Sequence, residues 1–251
     1  MINKVVVALE YDGTSFNGSQ KQDNVRTIQG VFDQVLESIN KKPVGSEFAS
    51  RTDSGVHATH QVASFVSDKY RSNSSWASAL NYYLPRDISV NKCMTVDNNF
   101  DVRRDANERE YVYSVYSNPT ISPLMDRYCE HLKYKVNVDD LSETAQIFKG
   151  SHDFLSFVGR SALEDRTTLR EIKEVECSED DRMIKIKFVG RSFLHQQIRR
   201  MVGAVLLVMQ GKLTRRQLYN ALEKPKKGSI SSLSSSKGLC LSNIKYKSIN
   251  I

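Results

Sequence analysis

The stretch Ala49-Ser50-Arg51-Thr52-Asp53-Ser54-Gly55-Val56-His57-Ala58 places a single carboxylate inside a turn-forming loop. Serine and glycine after Asp53 keep the backbone compact, so the carboxylate can project into a cleft. Arg51 favours the ionised form of a nearby carboxylate by its opposite charge. Taken alone, the same residues are also typical of an Asx-turn that only closes a loop. The surrounding sequence has to distinguish a structural aspartate from a catalytic one.

The segments on both sides of this loop carry clear strand and helix patterns. Residues 5–9 alternate in the two-residue period of a strand. Thr27 is a predicted N-cap, and apolar residues from 28 to 39 recur at the spacing of one helix face. Short strands predicted over 44–49 and 61–66 flank the loop on either side.

The rest of the chain mixes the two element types without strict strand–helix alternation. The patterns predict helices over 75–83, 141–148 and 194–210, a short helix capped by Thr214 and Gln217, and strands over 88–96, 110–117, 169–177, 183–189 and 239–246. This mixture predicts an α+β fold with mostly antiparallel pairing. We expect two halves, residues 1–104 with the Asp53 loop and residues 105–251 with the tyrosine-rich strand and the long helix. The serine-rich stretch 225–236 is predicted to be a mobile surface loop.

Composition narrows the class of protein. Lysine and arginine total 36 against 29 acidic residues, giving a net charge of +7 that favours a polyanionic partner or simply keeps the protein soluble. The four cysteines are widely spaced and form no CxxC pair, which argues against a zinc ribbon or a disulfide framework and fits a reducing compartment. The N-terminus shows no signal-peptide pattern, and the apolar run 201–209 is about half of a membrane span. These features predict a soluble cytoplasmic protein without membrane contact.

The loop also suggests two other kinds of site, an aspartic-protease site and a metal site, and the rest of the sequence supports neither. Asp53-Ser54-Gly55 matches a short aspartic-protease motif, but that chemistry needs two carboxylates sharing one proton, and Asp12-Gly13-Thr14 echoes the motif only superficially. Arg51 would also oppose a shared proton by favouring full ionisation. His57 and His60 have a spacing that hints at a metal, but no further motif completes a site, so we predict no metal.

Motifs in a fixed order extend over nearly the whole chain. They are Tyr11-Asp12-Gly13-Thr14-x-Phe16-x-Gly18-x-Gln20-x-Gln22, Thr27-Ile28-Gln29, the Asp53 loop, Gln61-Val62-Ala63-Ser64-Phe65, Asn81-x-x-Leu84-Pro85-x-Asp87-Ile88, Phe100-x-x-Arg103-x-x-Ala106, Arg109-x-Tyr111-x-Tyr113, Gly150-x-His152-Asp153-Phe154-x-x-Phe157, Arg166-Thr167, Phe193-Leu194-His195-x-x-Ile198-Arg199-x-Met201-Val202-Gly203 and Gly238-Leu239-x-Leu241. In this order the set resembles the TruA family of tRNA pseudouridine synthases. It is far more specific than any one of its parts.

The resemblance implies a pseudouridine synthase fold, with two α+β halves flanking a basic cleft, in a homodimer that binds tRNA. It implies isomerisation of uridine to pseudouridine in the anticodon stem-loop, nominally at positions 38 to 40, without a metal, nucleotide or redox cofactor. Asp53 becomes the catalytic carboxylate, attacking C1′ of the ribose or removing a sugar proton. Arg199 is the expected counterion of Asp53, Arg51 supports the flipped nucleotide or its phosphate, and Tyr111 lies against the target base and assists proton removal from C5.

Some positions depart from the family pattern. Ser50 and Ser54 stand where glycine and alanine are common, Ser19 replaces a tryptophan, and Asp101 replaces a histidine. Ser235 and Ser236 replace a proline-rich approach to Gly238-Leu239.

Candidate RNA contacts outside the loop are Arg103, Lys226 and Lys227. The alternative from another class is a non-catalytic RNA-binding protein that kept the fold. It shares the basic charge and the aromatic strand but has no need of a buried catalytic carboxylate.

Overall fold

A computed structural model describes residues 3–159 and 167–251, so Arg166 of the Arg166-Thr167 motif lies outside the described residues. The helices are α1 Ile28–Asn40, α2 Asn73–Tyr83, α3 Val138–Gln146, α4 Gln197–Met209 and α5 Arg215–Glu223. The strands are β1 Asn3–Tyr11, β2 Ser46–Phe48, β3 His57–Ser67, β4 Ile88–Val96, β5 Ala106–Ser117, β6 Glu130–Leu132, β7 Gly150–Asp153, β8 Leu169–Asp180, β9 Met183–Gly190 and β10 Leu239–Tyr246. Mixed α+β structure with largely antiparallel strands is confirmed. No helix within these ranges is long and apolar enough to cross a membrane.

The chain divides into two compact units, residues 1–109 with 240–251, and residues 110–239. The halves expected from the sequence meet at residue 104, and the last strand was expected to belong to the second half. In the structure β10 pairs in parallel with β3, through Cys240 opposite His57, which returns the end of the chain to the first unit.

The first unit is built around β1. This strand pairs antiparallel with β3 on one side and with β4 on the other, and β2 adds to β3. Residues 5–9 are all buried, so both faces of β1 are covered, although the alternating pattern predicted one buried face. Thr27 caps α1 as predicted, because its hydroxyl accepts from the amide of Gly30.

The second unit contains β5, β9, β8 and β7 in that order, with β6 parallel to β5. Its core includes Phe148, Phe154 and Phe157, with the rings of Phe148 and Phe157 edge to face at 5.2 Å. The capping box of α5 is confirmed: Thr214 and Gln217 bind each other's backbone amides.

Two expectations for the second unit are corrected. Helix α4 begins at Gln197 instead of 194, because Gln196 has a left-handed backbone with φ of 60° and cannot be helical. The stretch 225–236 is not a surface loop throughout. Ile230 and Ser234 are buried, and their amides donate to carbonyls of Ser156 and Arg199.

Candidate active site

The loop that carries Asp53 joins β2 to β3 and makes a tight turn. The amide of Val56 donates to the carbonyl of Asp53 at 3.2 Å, and Gly55 between them has φ of 77°. A positive φ of this size favours glycine, which explains the residue at this position. Asp53 is half-buried, between buried Thr52 and exposed Ser54.

Residues 16–19 of the first motif bind the backbone on both sides of Asp53. The amide of Thr52 donates to the Ser19 hydroxyl at 2.8 Å, and the amide of Ser19 donates to the carbonyl of Thr52 at 3.0 Å. On the other side, the amide of Gly55 and the hydroxyl of Ser54 both donate to the carbonyl of Phe16, each at 3.2 Å. Asp53 therefore lies between two anchored residues.

A buried polar network anchors the start of the loop. Gln61 is fully buried, and its amide nitrogen donates to the carbonyl of Ser50 at 2.8 Å and to the Tyr11 hydroxyl at 3.3 Å. Its amide oxygen accepts from the amides of Ser50 and Val62. The Tyr11 hydroxyl also bonds to the Thr52 hydroxyl at 2.9 Å. A buried network that is well satisfied rigidifies the segment it holds.

The end of the loop packs against the turn that follows β1. Nδ1 of His57 accepts from the amide of Gly13 at 3.1 Å and lies 3.2 Å from a carboxylate oxygen of Asp12. A Cβ on Gly13 would lie 2.0 Å from the carbonyl oxygen of Val56, so a side chain at position 13 is excluded. A Cβ on Gly18, which has a positive φ of 89°, would lie 2.9 Å from the carbonyl oxygen of Thr52, a less severe overlap.

Residues of one further motif, Asn81 and Asp87, make contacts around this turn. Arg26 pairs with Asp87 through two hydrogen bonds of 2.8 and 3.0 Å, and its guanidinium lies 3.9 Å from the centre of the Phe16 ring. The carbonyl of Asp87 accepts from the amide of Asp12. Asn81 binds the backbone of Val90 through both ends of its amide, which ties α2 to β4. Asp87 therefore connects Arg26 to the turn after β1.

Tyr111 lies on β5 in the second unit. It is buried, and its ring meets that of Phe193 edge to face at 5.4 Å. The neighbouring Tyr113 faces the core, where its hydroxyl donates to Glu130 and to the carbonyl of Ser235, and burial raises the pKa of its phenol. A Cβ on Gly238 would lie 2.8 Å from the Tyr113 ring, which accounts for the glycine of the last motif.

Arg199 lies in the first turns of α4. Its Nε donates to the carbonyl of Ser234 at 3.0 Å, and its own carbonyl accepts from the amide and the hydroxyl of Ser234. The arginine therefore holds the serine-rich stretch against the helix. Arg199 and Asp53 belong to different units, and their pairing stays a prediction.

The remaining predicted site residues lie at or near the surface. Arg51, Arg103 and Lys226 are exposed and Lys227 is half-buried. Arg103 follows Asp101, whose carboxylate accepts from the amides of Arg104 and Arg103 at 2.8 Å each. The hydrogen bond from the amide of Arg104, and then that from the amide of Arg103, lower the pKa of Asp101. The same two bonds close the turn. The described residues contain no cluster of three or more histidine, cysteine or acidic side chains that could hold a metal ion.

Three residues that bind the backbone of the Asp53 loop are not among the site residues predicted from the sequence. Ser19, Gln61 and Arg109 are buried polar residues that bind its backbone. Each was visible only as a letter in a motif or as a departure from it. A buried polar residue inside an otherwise apolar strand, such as Gln61 in β3, is the one signal that could have pointed to them.

Comparison with known proteins identifies the family. A family profile described as tRNA pseudouridine synthase matches residues 7–105 and 144–247. The tRNA pseudouridine synthase A 2 of Bacillus thuringiensis subsp. konkukian (strain 97-27) is 33% identical over 246 residues, covering 98% of this chain and 100% of that protein. The tRNA pseudouridine synthase A of Pseudothermotoga lettingae is 38% identical over 223 residues, covering 88% and 91%.

These matches extend over both units and include every motif around Asp53. The chain belongs to the tRNA pseudouridine synthase family. Among solved structures, an archaeal box H/ACA Nop10–Cbf5 complex aligns with a TM-score of 0.36 and 10% identity, over 81% of this chain and 43% of that one.

The close approach of Gly13 to the loop gives a stability prediction. Gly13→Ala pushes a methyl group into the backbone at Val56 and is expected to lower the free energy of unfolding by about 1–3 kcal/mol. Gly45→Ala is the matched control, because no atom lies within 4 Å of a Cβ there, and it should stay within about 0.5 kcal/mol of wild type. Urea unfolding measures both. Equal stability of the two variants would contradict the packing described.

Proposed function

We propose that this protein isomerises uridine to pseudouridine in the anticodon stem-loop of tRNA, nominally at positions 38 to 40, with Asp53 as the catalytic carboxylate. The observation that carries the proposal is the convergence of separate motifs on one loop. Ser19, Phe16 and Gln61 all bind the backbone on either side of Asp53. Membership of the tRNA pseudouridine synthase family supplies the reaction class.

The reaction breaks the bond between N1 of uracil and C1′ of ribose, turns the base, and forms a bond from C5 to C1′. The proton lost from C5 is balanced by one gained at N1, so the step consumes no reductant or co-substrate. Asp53 either attacks C1′ or removes a sugar proton, and both routes need an ionised carboxylate in a fixed position. The anchored residues on both sides of Asp53 supply that fixed position.

Three further side chains have roles in this proposal. A uridine in a stem has to leave the base stack before Asp53 can reach its sugar, and stacking on the Tyr111 ring offsets part of that cost. Arg199 serves as the counterion that keeps Asp53 ionised. Arg51, exposed beside Asp53, offers a planar fork of donors for the flipped nucleotide or its phosphate.

The wider tRNA contacts depend on charge. Exposed Arg103 and Lys226, together with Lys227, are proposed to contact phosphates, in keeping with the net charge of +7. A homodimer in which one tRNA touches both subunits, acting in the cytoplasm, completes the proposal.

The first test replaces Asp53 by asparagine, which keeps the size of the side chain and removes its charge. Pseudouridine formation in tRNA should fall by at least about 10²-fold, while the Kd for tRNA stays within about threefold, because affinity comes mainly from phosphate contacts. Asp181→Asn, at an exposed turn with φ of 55° that asparagine tolerates, is the control. Carbodiimide mapping of pseudouridine and filter binding give the two readouts.

The outcomes separate the competing functions. A wild-type protein that binds tRNA but forms no pseudouridine in any tRNA supports the non-catalytic RNA-binding alternative. Full activity of Asp53→Asn would leave the reaction standing but remove Asp53 from its chemistry.

The second test addresses the Tyr111 hydroxyl. Tyr111→Phe keeps the ring against Phe193, so the fold and tRNA binding should be retained. Loss of the hydroxyl should slow tritium release from tRNA labelled at C5 of uridine by about 10²-fold or more, as expected for lost acid–base assistance. Tyr219→Phe, half-exposed on α5, should release tritium at the wild-type rate. An unchanged rate for Tyr111→Phe would restrict Tyr111 to stacking.

The third test addresses the counterion. If Arg199 and Asp53 form an ion pair, the unfolding free energies of Arg199→Met, Asp53→Asn and the double variant should be non-additive by more than about 0.5 kcal/mol. Asp181→Asn combined with Arg199→Met should be additive, since Asp181 lies in the exposed turn before β9. Additive effects for the Asp53 combination would mean that another cation accompanies Asp53.

A further inference from the structure

One buried arginine in the first unit has a geometry that neither the sequence patterns nor the family comparison explains. Arg109 is only 7% exposed. Arginine is almost never buried this deeply unless its guanidinium has partners. Its Nη2 donates to two carbonyl oxygens, those of Ala49 at 2.8 Å and of Arg103 at 2.9 Å. One nitrogen thus joins two separate backbone segments, and these charge-assisted bonds offset part of the cost of burying the cation.

The first carbonyl belongs to the start of the Asp53 loop. Ala49 is buried, and its amide donates to the carbonyl of Val62 at 2.9 Å. The bond from Arg109 therefore fixes the other side of the same residue. The loop begins from a position that is set by β3 on one side and by Arg109 on the other.

The second carbonyl, that of Arg103, belongs to a tight turn over residues 101–105, in which Arg103 and Arg104 are exposed. The amide of Asp105 donates to the carbonyl of Asp101 at 3.0 Å, and the Asp105 carboxylate accepts from the amide of Asp101 at 2.9 Å. The hydroxyl of Tyr246 on β10 donates to the carbonyl of Val102 at 2.6 Å. These bonds hold the turn together. The two bonds of Arg109, to the carbonyls of Ala49 and Arg103, then connect the turn to the start of the Asp53 loop.

We propose that Arg109 is a positioning residue for pseudouridine formation: its single Nη2 group fixes the Asp53 loop relative to the turn that presents Arg103 to the RNA. This inference rests on the proposed function. Arg109 is buried and touches no reacting atom, so it acts through the two carbonyls. Its removal breaks both bonds at once and loosens the connection between the two segments, and a displacement of about 1 Å at a catalytic group can cost about 10²-fold in rate.

The experiment compares wild-type protein with Arg109→Met, Arg109→Lys and the control Arg215→Met. Arg215 also binds a backbone carbonyl, that of Asp140, with further bonds to Thr144 and Glu143, but all these partners belong to the second unit and none is part of the Asp53 loop. The readouts are the single-turnover rate at saturating enzyme, the Kd for tRNA, and amide hydrogen exchange over residues 49–56. Thermal unfolding reports how far each variant is destabilised.

We expect Arg109→Met to lower the single-turnover rate by about 10²-fold, with the Kd changed by less than about fivefold and faster exchange over residues 49–56. Arg109→Lys, which can restore one bond at most with good geometry, should lose about tenfold. Arg215→Met should lose stability while its rate and loop exchange match wild type. If Arg109→Met does not fold, the Arg109→Lys rate and exchange carry the test.

Three results would overturn the inference. Variants of Arg109 that turn over at the wild-type rate per folded molecule reduce it to a structural residue. A rate loss without faster loop exchange places its effect elsewhere. A wild-type protein that makes no pseudouridine removes the proposed function, and the positioning role with it, and only this result leaves wild type and variants equally inactive.

Discussion

The close approach of two backbone segments, residues 13–19 and 52–56, is the constraint on which the candidate active site depends. The segments bind each other through main-chain groups and short hydroxyls, as in the paired bonds between Ser19 and Thr52. Such contact requires glycine at position 13, where any Cβ would meet the Val56 carbonyl. Bonds to backbone fix an aspartate more firmly than bonds to flexible side chains would, because they restrict the φ and ψ angles that aim it. The turn before α1 and the Asp53 loop therefore behave as one element.

Sequence patterns predict elements whose cause is local, and fail where the cause is distant. The α1 stripe with its Thr27 cap and the Thr214 capping box depend on residues three or four apart, and both were predicted correctly. The sequence pattern predicts that β5 starts at 110. It starts at Ala106, and buried Arg109 shares the inward face of the strand with Tyr111 and Tyr113 while its guanidinium binds the carbonyls of Ala49 and Arg103. Tertiary bonds of this kind leave no periodic signal.

The candidate site likewise contains residues that the sequence could single out and residues whose roles it could not predict. Asp53 could be singled out only because many motifs occur in one order, while its own surroundings suit an ordinary Asx-turn equally well. The roles of Asn81 and Asp87 could not be predicted at all. Asn81 binds Val90 and ties α2 to β4, while Asp87 pairs with Arg26 and accepts from the amide of Asp12 in the turn after β1. Both contacts join elements that are distant in sequence, so no local pattern reveals them.

Two serines add side-chain bonds between the segments 13–19 and 52–56. The Ser19 hydroxyl accepts from the amide of Thr52 and leaves that buried donor satisfied. The Ser54 hydroxyl donates to the carbonyl of Phe16, which already accepts from the amide of Gly55. If Asp53 acts as proposed, a loop that is already fixed before the uridine binds favours the chemical step, because no further ordering of the carboxylate is needed.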